Sequence, residues 1–428
     1  MKLVEKHIIS KNHKNYKEID HLAFLSKNLY NKGNYIIRQE FIKTSKEVEQ
    51  GKRENAKWIR YHELQKMLQN SKDPDYIALP RKVSQQVLRQ LDNNWKSFFK
   101  AIKEWKKAPD KFKKRPSLPK YKHKTKGRNI LIYTIQAISK VELKNDIVKL
   151  SNTNIQIKTK QKNIQQTRIV PLPCKTYKIE IVYEKEIEKR NIDKNKIASI
   201  DIGVDSLAAV TSNVKEFKPL IINGRPLKAI NQYYNKRRAE LLSKLMLQYK
   251  DRHTSNRINI LTMKRNNKID DYMHKASRLI VDLLLEYNIG TLVIGKNDGW
   301  KQEVNIGKVN NQNFTSIPHS KFTKMLEYKC KLKGIDVILV DESYTSKCSL
   351  IDLEDIGEKE TYMGRRISRG LFKSKNGIII NADINGSGNI MRKAIPNCGI
   401  DTANGIEGFV VSPVRITPKG YYPYKQVS

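Results

Sequence analysis

The run Ile197-Ala198-Ser199-Ile200-Asp201-Ile202-Gly203-Val204-Asp205-Ser206-Leu207-Ala208-Ala209-Val210 constrains the fold more than any other stretch of the chain. Two apolar strands flank a glycine-containing turn, which is a hairpin, and an acid sits on its inner strand. A third strand is expected near Lys218 to Ile222, ending at Asn223-Gly224. A basic helical stretch follows from Leu227 to about Tyr287, where Ile280, Leu283, Leu284 and Tyr287 form a buried face that stops near Gly290. The strand Thr291 to Ile294, the helix Ser320 to Lys333 and the strand Ile335 to Val340 complete the series. A second acid, Asp383, stands where the strand-like run Gly377 to Ile380 gives way to Asn385-Gly386-Ser387-Gly388, small residues that let a helix pack closely.

Three hairpin-linked strands, then helix, strand, helix and strand, make the order of a ribonuclease H-like sheet. The 428 residues suit two or three domains, and a 39% hydrophobic share suffices to build them. From about Ile19 to Trp105 the pattern is helical. Val83, Val87, Leu91, Trp95, Phe98 and Ile102 fall three or four apart after Pro80, at a helix start. Between Ile130 and Glu184, short alternating runs at Ile130 to Ile135, Ile147 to Leu150 and Tyr177 to Tyr183 suggest a small β-barrel. Residues after about Asn397 read as a poorly ordered tail.

With 83 Lys and Arg against 43 Asp and Glu, the formal charge is +40, which calls for a polyanion; nucleic acid is the obvious one. The charge peaks from Lys103 to Arg128, twelve basic residues to two acids, with Trp105, Phe112 and Tyr121 interleaved and Pro109, Pro116 and Pro119 breaking any helix. Such a segment can track a phosphate backbone, and Lys113, Lys114, Arg115, Lys120, Tyr121, Lys122 and Lys124 are its expected contacts. The alternative is a solvated linker. No spanning run, lipid-seeking helix or signal peptide is read, so no membrane partner and a cytoplasmic location are expected. Cys174, Cys330, Cys348 and Cys398 form no CxxC pair, which argues against a disulfide framework and a complete zinc site.

Four segments together resemble the TnpB family, the RuvC-domain proteins of insertion sequences formerly called OrfB transposases and relatives of the type V CRISPR effectors. They are Asp201-Ile202-Gly203-Val204-Asp205, Ile294 to Glu303, Tyr344-Thr345-Ser346-Lys347-Cys348-Ser349, and Asn381 to Ile390. The resemblance implies a multidomain α+β chain. A first β-barrel strand would lie in 1–18, a helical recognition lobe in 19–108 and a wedge-like β-barrel in 109–190. A RuvC nuclease would follow in 191–344 and 377–396, interrupted by a degenerate zinc ribbon in 345–376 and followed by a tail from 397 to 428. It further implies a transposon-derived guide RNA and double-stranded DNA cut beside a short adjacent motif. A two-Mg²⁺ site is expected from the chemistry of such cutting, and one protein per guide RNA is the working expectation for the oligomeric state.

Two departures stand out. The catalytic Glu usual in the family at the end of the fourth RuvC strand is here Gly295, and of four zinc-ribbon ligands only Cys348 remains, so no structural zinc is expected. Two-metal phosphodiester hydrolysis needs about three or four carboxylates around ions roughly 4 Å apart. Glu342, just past the strand ending at Val340, is the expected replacement, because neighbouring strand tips lie about 4.8 Å apart. The expected catalytic and metal-binding set is therefore Asp201, Glu342 and Asp383, with Asp341 and Asp298 as lesser candidates. Asp383 as a helix N-cap, Asp201 as a turn acid and Glu342 as a solvent-facing strand end are the plainer readings. Asp205 reads as a turn residue. Trp300 and Lys301 are expected to meet nucleic acid or anchor their loop, and Arg365, Arg366 and Arg369 to meet the heteroduplex phosphates. The rival to a nuclease is a nuclease-inactive, RNA-guided repressor that binds DNA without cutting it. A tyrosine transposase fits less well, since none of the 20 Tyr has a His-rich setting.

Overall fold

The computed structural model describes residues 1–296, 312, 315–399 and 413–418. Trp300, Lys301 and Asp298 lie outside the described residues. The chain divides into two compact units, Met1–Lys185 and Glu186–Ser428.

In the first unit, β1 (Lys2–Ile9) leads into α1 (Tyr16–Glu49), α2 (Tyr61–Asn70), α3 (Pro74–Ile77) and α4 (Arg81–Lys107). The apolar spacing on α4 holds: Val83, Val87, Leu91 and Trp95 are buried, and Pro80, which cannot donate to the preceding turn, sits at its N-cap. Trp95 is the centre of an aromatic cluster with Trp58, Phe41, Phe98 and Phe99. After α4 come β2 (Leu131–Thr134), the short α5 (Lys140–Lys144), β3 (Ile147–Lys149), β4 (Gln156–Lys158), β5 (Ile164–Leu172) and β6 (Thr176–Glu184). The strands expected to curl into a barrel form one four-stranded sheet with two ends, in the order β1-β6-β5-β2, and β3 and β4 pair separately.

The basic segment after α4 is a strap docked on α1. One polar stripe of that helix grips the strap's backbone. Lys27 Nζ donates to Lys124 O (2.6 Å), and Asn31 both donates to Lys122 O (2.8 Å) and accepts from Lys122 N (2.9 Å). Asn34 and Arg38 donate to Pro119 O. The strap ends where Arg128 forks onto the Asp20 carboxylate, which also accepts from Tyr177 OH. Residues 20, 27, 31, 34 and 38 recur at helical spacing, so a single face of α1 supplies every anchor.

In the second unit, β7 (Asp193–Asp201), β8 (Ser206–Ser212) and β9 (Leu220–Asn223) are antiparallel neighbours. The expected single helical stretch is two helices, α6 (Arg225–Gln248) and α7 (Asn256–Glu286); the polar run before α7 breaks it, and Ser255 caps α7. Then come β10 (Ile289–Gly295), α8 (His319–Leu332), β11 (Asp336–Val340), β12 (Arg365–Ser368), β13 (Leu371–Lys373), β14 (Ile379–Asn381), α9 (Ala382–Ala394) and β15 (Val414–Ile416). The main sheet runs β11-β10-β7-β8-β9-β15, with β10 parallel to both β7 and β11. The part of the chain expected as a loose tail thus includes a strand, β15, parallel to β9. Three residues are too few for strand periodicity to reveal it in sequence.

Period-two alternation sorts the sheet's two faces. Ala198, Ile200, Leu292 and Ile294 join the core built with α7 and α8, whereas Ile197 and Val293 pack with Ile390 and Met391 of α9. Ser199, also on the α9 face, shares a buried hydroxyl network with Thr211 and Ser387. Asp201 and Gly295 follow in the same alternation. β12 and β13 of the 345–376 segment form a small antiparallel sheet with β14, which lies just past it. Among the described residues no helix is long and apolar enough to cross a membrane.

Candidate active site

Three parallel strands end side by side. Ile200 of β7 pairs with Ile294 of β10, and Gly295 pairs with Val340 of β11, so Asp201, Gly295 and Val340 stand at neighbouring tips. Glu342 is two residues past Val340. Gly295 explains where its side chain goes: a Cβ at residue 295 would lie 2.8 Å from Glu342 Oε2 and 2.5 Å from Ile390 Cδ1. The carboxylate from β11 thus lies over the bare backbone at the tip of β10. Asp201 has a similar neighbour, since a Cβ on Gly386 of α9 would stand 2.8 Å from Asp201 Oδ2. The small residues of α9 bring helix backbone directly onto the acid.

Asp383 reaches the group from the first turn of α9. Asn381 caps this helix, its Oδ1 accepting from the amides of Asp383 and Ile384, which leaves the Asp383 carboxylate for other partners. Ser206 Oγ donates to Asp383 Oδ2 at 2.7 Å, and the Arg366 guanidinium lies 3.7 Å from Oδ1.

Burial and neighbouring acids shape the electrostatics of the site. Burial, then the charges of Glu342 and Asp383, push the Asp201 carboxyl up to about 8, against a smaller opposing pull from Arg366. Burial, then Asp341, pushes Glu342 up to about 7. Asp341 itself turns outward to Lys393 and Ser343; a hydrogen bond from the Ser343 side chain, then one from its amide and one from Lys393, lower its pKa. Asp205 belongs to the β7–β8 turn. Burial would raise its pKa, but Lys228 and Arg369, both ion-paired to it, hold it low.

As they stand, the carboxylates do not close on one point: among the described residues no three His, Cys, Asp or Glu side chains are near enough to hold an ion. The donor set is nonetheless all oxygen, suited to a hard divalent cation, and a positive charge from Arg366 already stands beside it.

Of the other expected contacts, Arg366 lies beside Asp383, Arg369 pairs with Asp205 of the β7–β8 turn, and Arg365 lies exposed on β12. In the first unit Lys113, Lys114, Arg115, Lys120 and Lys124 are exposed along the strap. Tyr121 carries Arg38 over its ring, and Lys122 sits over Tyr30 with its pKa lowered by burial.

Sequence reasoning missed the residues that set the frame. Asn385 and Asn389, one turn apart on α9, donate to Cys348 O, and Asn389 also to Thr345 O, so they clamp the 344–349 motif against the helix. Their i, i+4 spacing is the one signal that could have exposed them. Where zinc ligands are expected in the resemblance, the buried Glu354 accepts from the amides of Ser349 and Met363 and pairs with Lys359.

Two family models match: a probable transposase of the OrfB_IS605 type over residues 180–301, and a Cas12f1-like TNB domain over residues 319–390. The chain is 31% identical over 240 residues to the CRISPR-associated endodeoxyribonuclease Cas12f2 of a Micrarchaeota archaeon, covering 53% of this chain and 42% of that protein. It therefore spans less than half of that relative's length. It is 26% identical to the TnpB-like protein ORF457 of Acidianus two-tailed virus, over 94% of this chain and 88% of that one. The solved structure of the mini-RNA-guided endonuclease CRISPR-Cas_phi3 aligns at 12% identity, over 95% of this chain and 93% of its own, with a TM-score of 0.43. The chain is thus similar to TnpB-like proteins and to Cas12f effectors of the type V class.

Proposed function

We propose that the protein is a transposon-encoded, RNA-guided DNA endonuclease that cuts guide-complementary DNA beside a short adjacent motif by metal-dependent phosphodiester hydrolysis. The observation that carries this reading is the Glu342 carboxylate lying over Gly295, at the strand tip next to Asp201. It supports a relocated acid: β11 supplies the group that β10 lacks.

Asp201, Glu342 and Asp383 would hold the Mg²⁺ ions. A divalent pair, when bound, supplies an activated water and offsets the charge on the leaving oxygen. The chain's own residues prepare for this. Burial and the neighbouring acids hold the Asp201 carboxyl well above the usual carboxylate range, so its charge is costly until a cation offsets it. Ser206 keeps one oxygen of Asp383 engaged, and Arg366 places a guanidinium where a phosphate would approach. The exposed strap residues Lys113, Lys114, Arg115, Lys120 and Lys124 would follow a nucleic-acid backbone, and base pairing to the guide would select the sequence. The partners on this reading are a guide RNA from the mobile element and double-stranded DNA, with one protein per guide.

A second reading, a nuclease-inactive RNA-guided DNA binder, draws support from Asp383 being engaged by Ser206 and Arg366 and from the lack of a three-acid convergence among the described residues. Plasmid cleavage by the purified ribonucleoprotein separates the two. Wild type is expected to cut in Mg²⁺ while Asp201→Ala and Glu342→Gln do not, with RNA and DNA binding intact in all three. Wild type that binds its target but never cuts establishes the second reading.

A further inference from the structure

We infer that Ser206 is a positioning residue that fixes the Asp383 carboxylate for cation binding. The inference rests on the proposed metal site and extends it to a residue that touches neither cation nor substrate. Ser206 opens β8 immediately after the β7–β8 turn, so the loop that follows Asp201 also delivers the hydroxyl that holds Asp383. The turn is tight, since a Cβ on Gly203 would meet Ser206 O at 2.8 Å. Ser206 is itself buried and faces Asn223 across the β8–β9 ladder, so its hydroxyl is held by the sheet and not by a mobile loop.

The bond is short, 2.7 Å, and charge-assisted, which gives it direction as well as strength. It engages Oδ2 and leaves Oδ1, the atom that faces Arg366, as the oxygen available to a cation. Asp383 lies in the first turn of α9 and is not the helix cap, so among the described residues Ser206 is the neutral donor recorded on its carboxylate. Removing that donor frees the carboxylate to rotate toward Arg366, and a cation must then order it as well as bind it. Hydrogen-bond partners of ligating carboxylates typically change metal affinity by about 10–100-fold.

The test is Mn²⁺ binding, followed by electron paramagnetic resonance, to the full-length protein stripped of nucleic acid. It compares wild type, Ser206→Ala, Asp383→Asn and Ser212→Ala. Ser212 is on the same strand, but its hydroxyl donates to Ile197 O, away from the acids. The expected result is a dissociation constant raised about 10–100-fold by Ser206→Ala, unchanged by Ser212→Ala, and binding abolished by Asp383→Asn. The melting temperature of Ser206→Ala should stay near that of wild type. An affinity for Ser206→Ala within about twofold of wild type, or an equal loss in Ser212→Ala, overturns the inference while leaving the metal site standing. Wild type that binds no Mn²⁺, or binds it equally with Asp383→Asn, overturns the metal site and this inference with it.

Discussion

Glu342 is an acid whose burial works against its charge, and that conflict has a measurable sign. Its ordinary value near 4.3 rises to about 7 in the fold, so the stability it contributes is fully present below about pH 4 and is lost as pH rises through about 7. Replacing it by Gln, which does not ionise, should therefore stabilise the cation-free protein at pH 8 by about 1–3 kcal/mol, with little change at pH 4. Thermal melts of wild type and Glu342→Gln at both pH values check this, and equal melts at pH 8 would count against a buried carboxylate. The same substitution should cut DNA cleavage by about a hundredfold or more. The place of Glu342 beside Gly295 could be anticipated, because strand order sets the tip of β11 next to that of β10 and the resemblance marks Gly295 as a position usually acidic. That of Ser206 could not, because its hydrogen bond to residue 383 depends on how a turn and a distant helix meet. Asp383 had a helix cap as its plainer reading; the structure hands that task to Asn381.

The elements that carry the site are held by side chains bonding to backbone, and that kind of bond leaves little trace in a hydrophobic pattern. The strap shows it best. Its composition reads as either a phosphate-tracking segment or a solvated linker, whereas α1 grips its carbonyls through Lys27, Asn31, Asn34 and Arg38. Asn31→Ala should cost about 1–3 kcal/mol, since it removes two hydrogen bonds to Lys122, and should expose Lys120 to Lys126 to faster limited proteolysis. An unchanged digestion pattern would show the strap to be held elsewhere. The 345–376 segment makes the parallel case. Glu354→Ala should lower stability by about 2–4 kcal/mol by stranding the Ser349 and Met363 amides and Lys359, while a zinc chelator leaves the melting curve unchanged. The strands and α4 were readable because apolar periodicity defines them. The split between α6 and α7, and the strand β15, were not, because seven polar residues and a three-residue pairing fall below that resolution.

At the scale of the whole molecule the formal charge of +40 dominates. On the proposed function, guide RNA affinity should fall steeply with salt, with a log–log slope that shrinks by about 0.7–0.9 for each phosphate contact removed. Lys113→Ala combined with Lys114→Ala should therefore flatten the slope by about 1.4–1.8 without altering the fold, and filter binding across a salt series measures it. A slope that does not change would move the RNA contact away from the strap.

The glycine at 295 also sets the direction in which this protein can be altered. Its α-hydrogen faces Ile390 and the Glu342 carboxylate, so a side chain introduced there collides with both. Restoring an acid to the tip of β10 by one codon change should yield a poorly folding chain, whereas the same change made together with a smaller residue at 390 and the loss of the acid at 342 should be tolerated. An exchange of acids between the two strand tips would therefore need several changes at once.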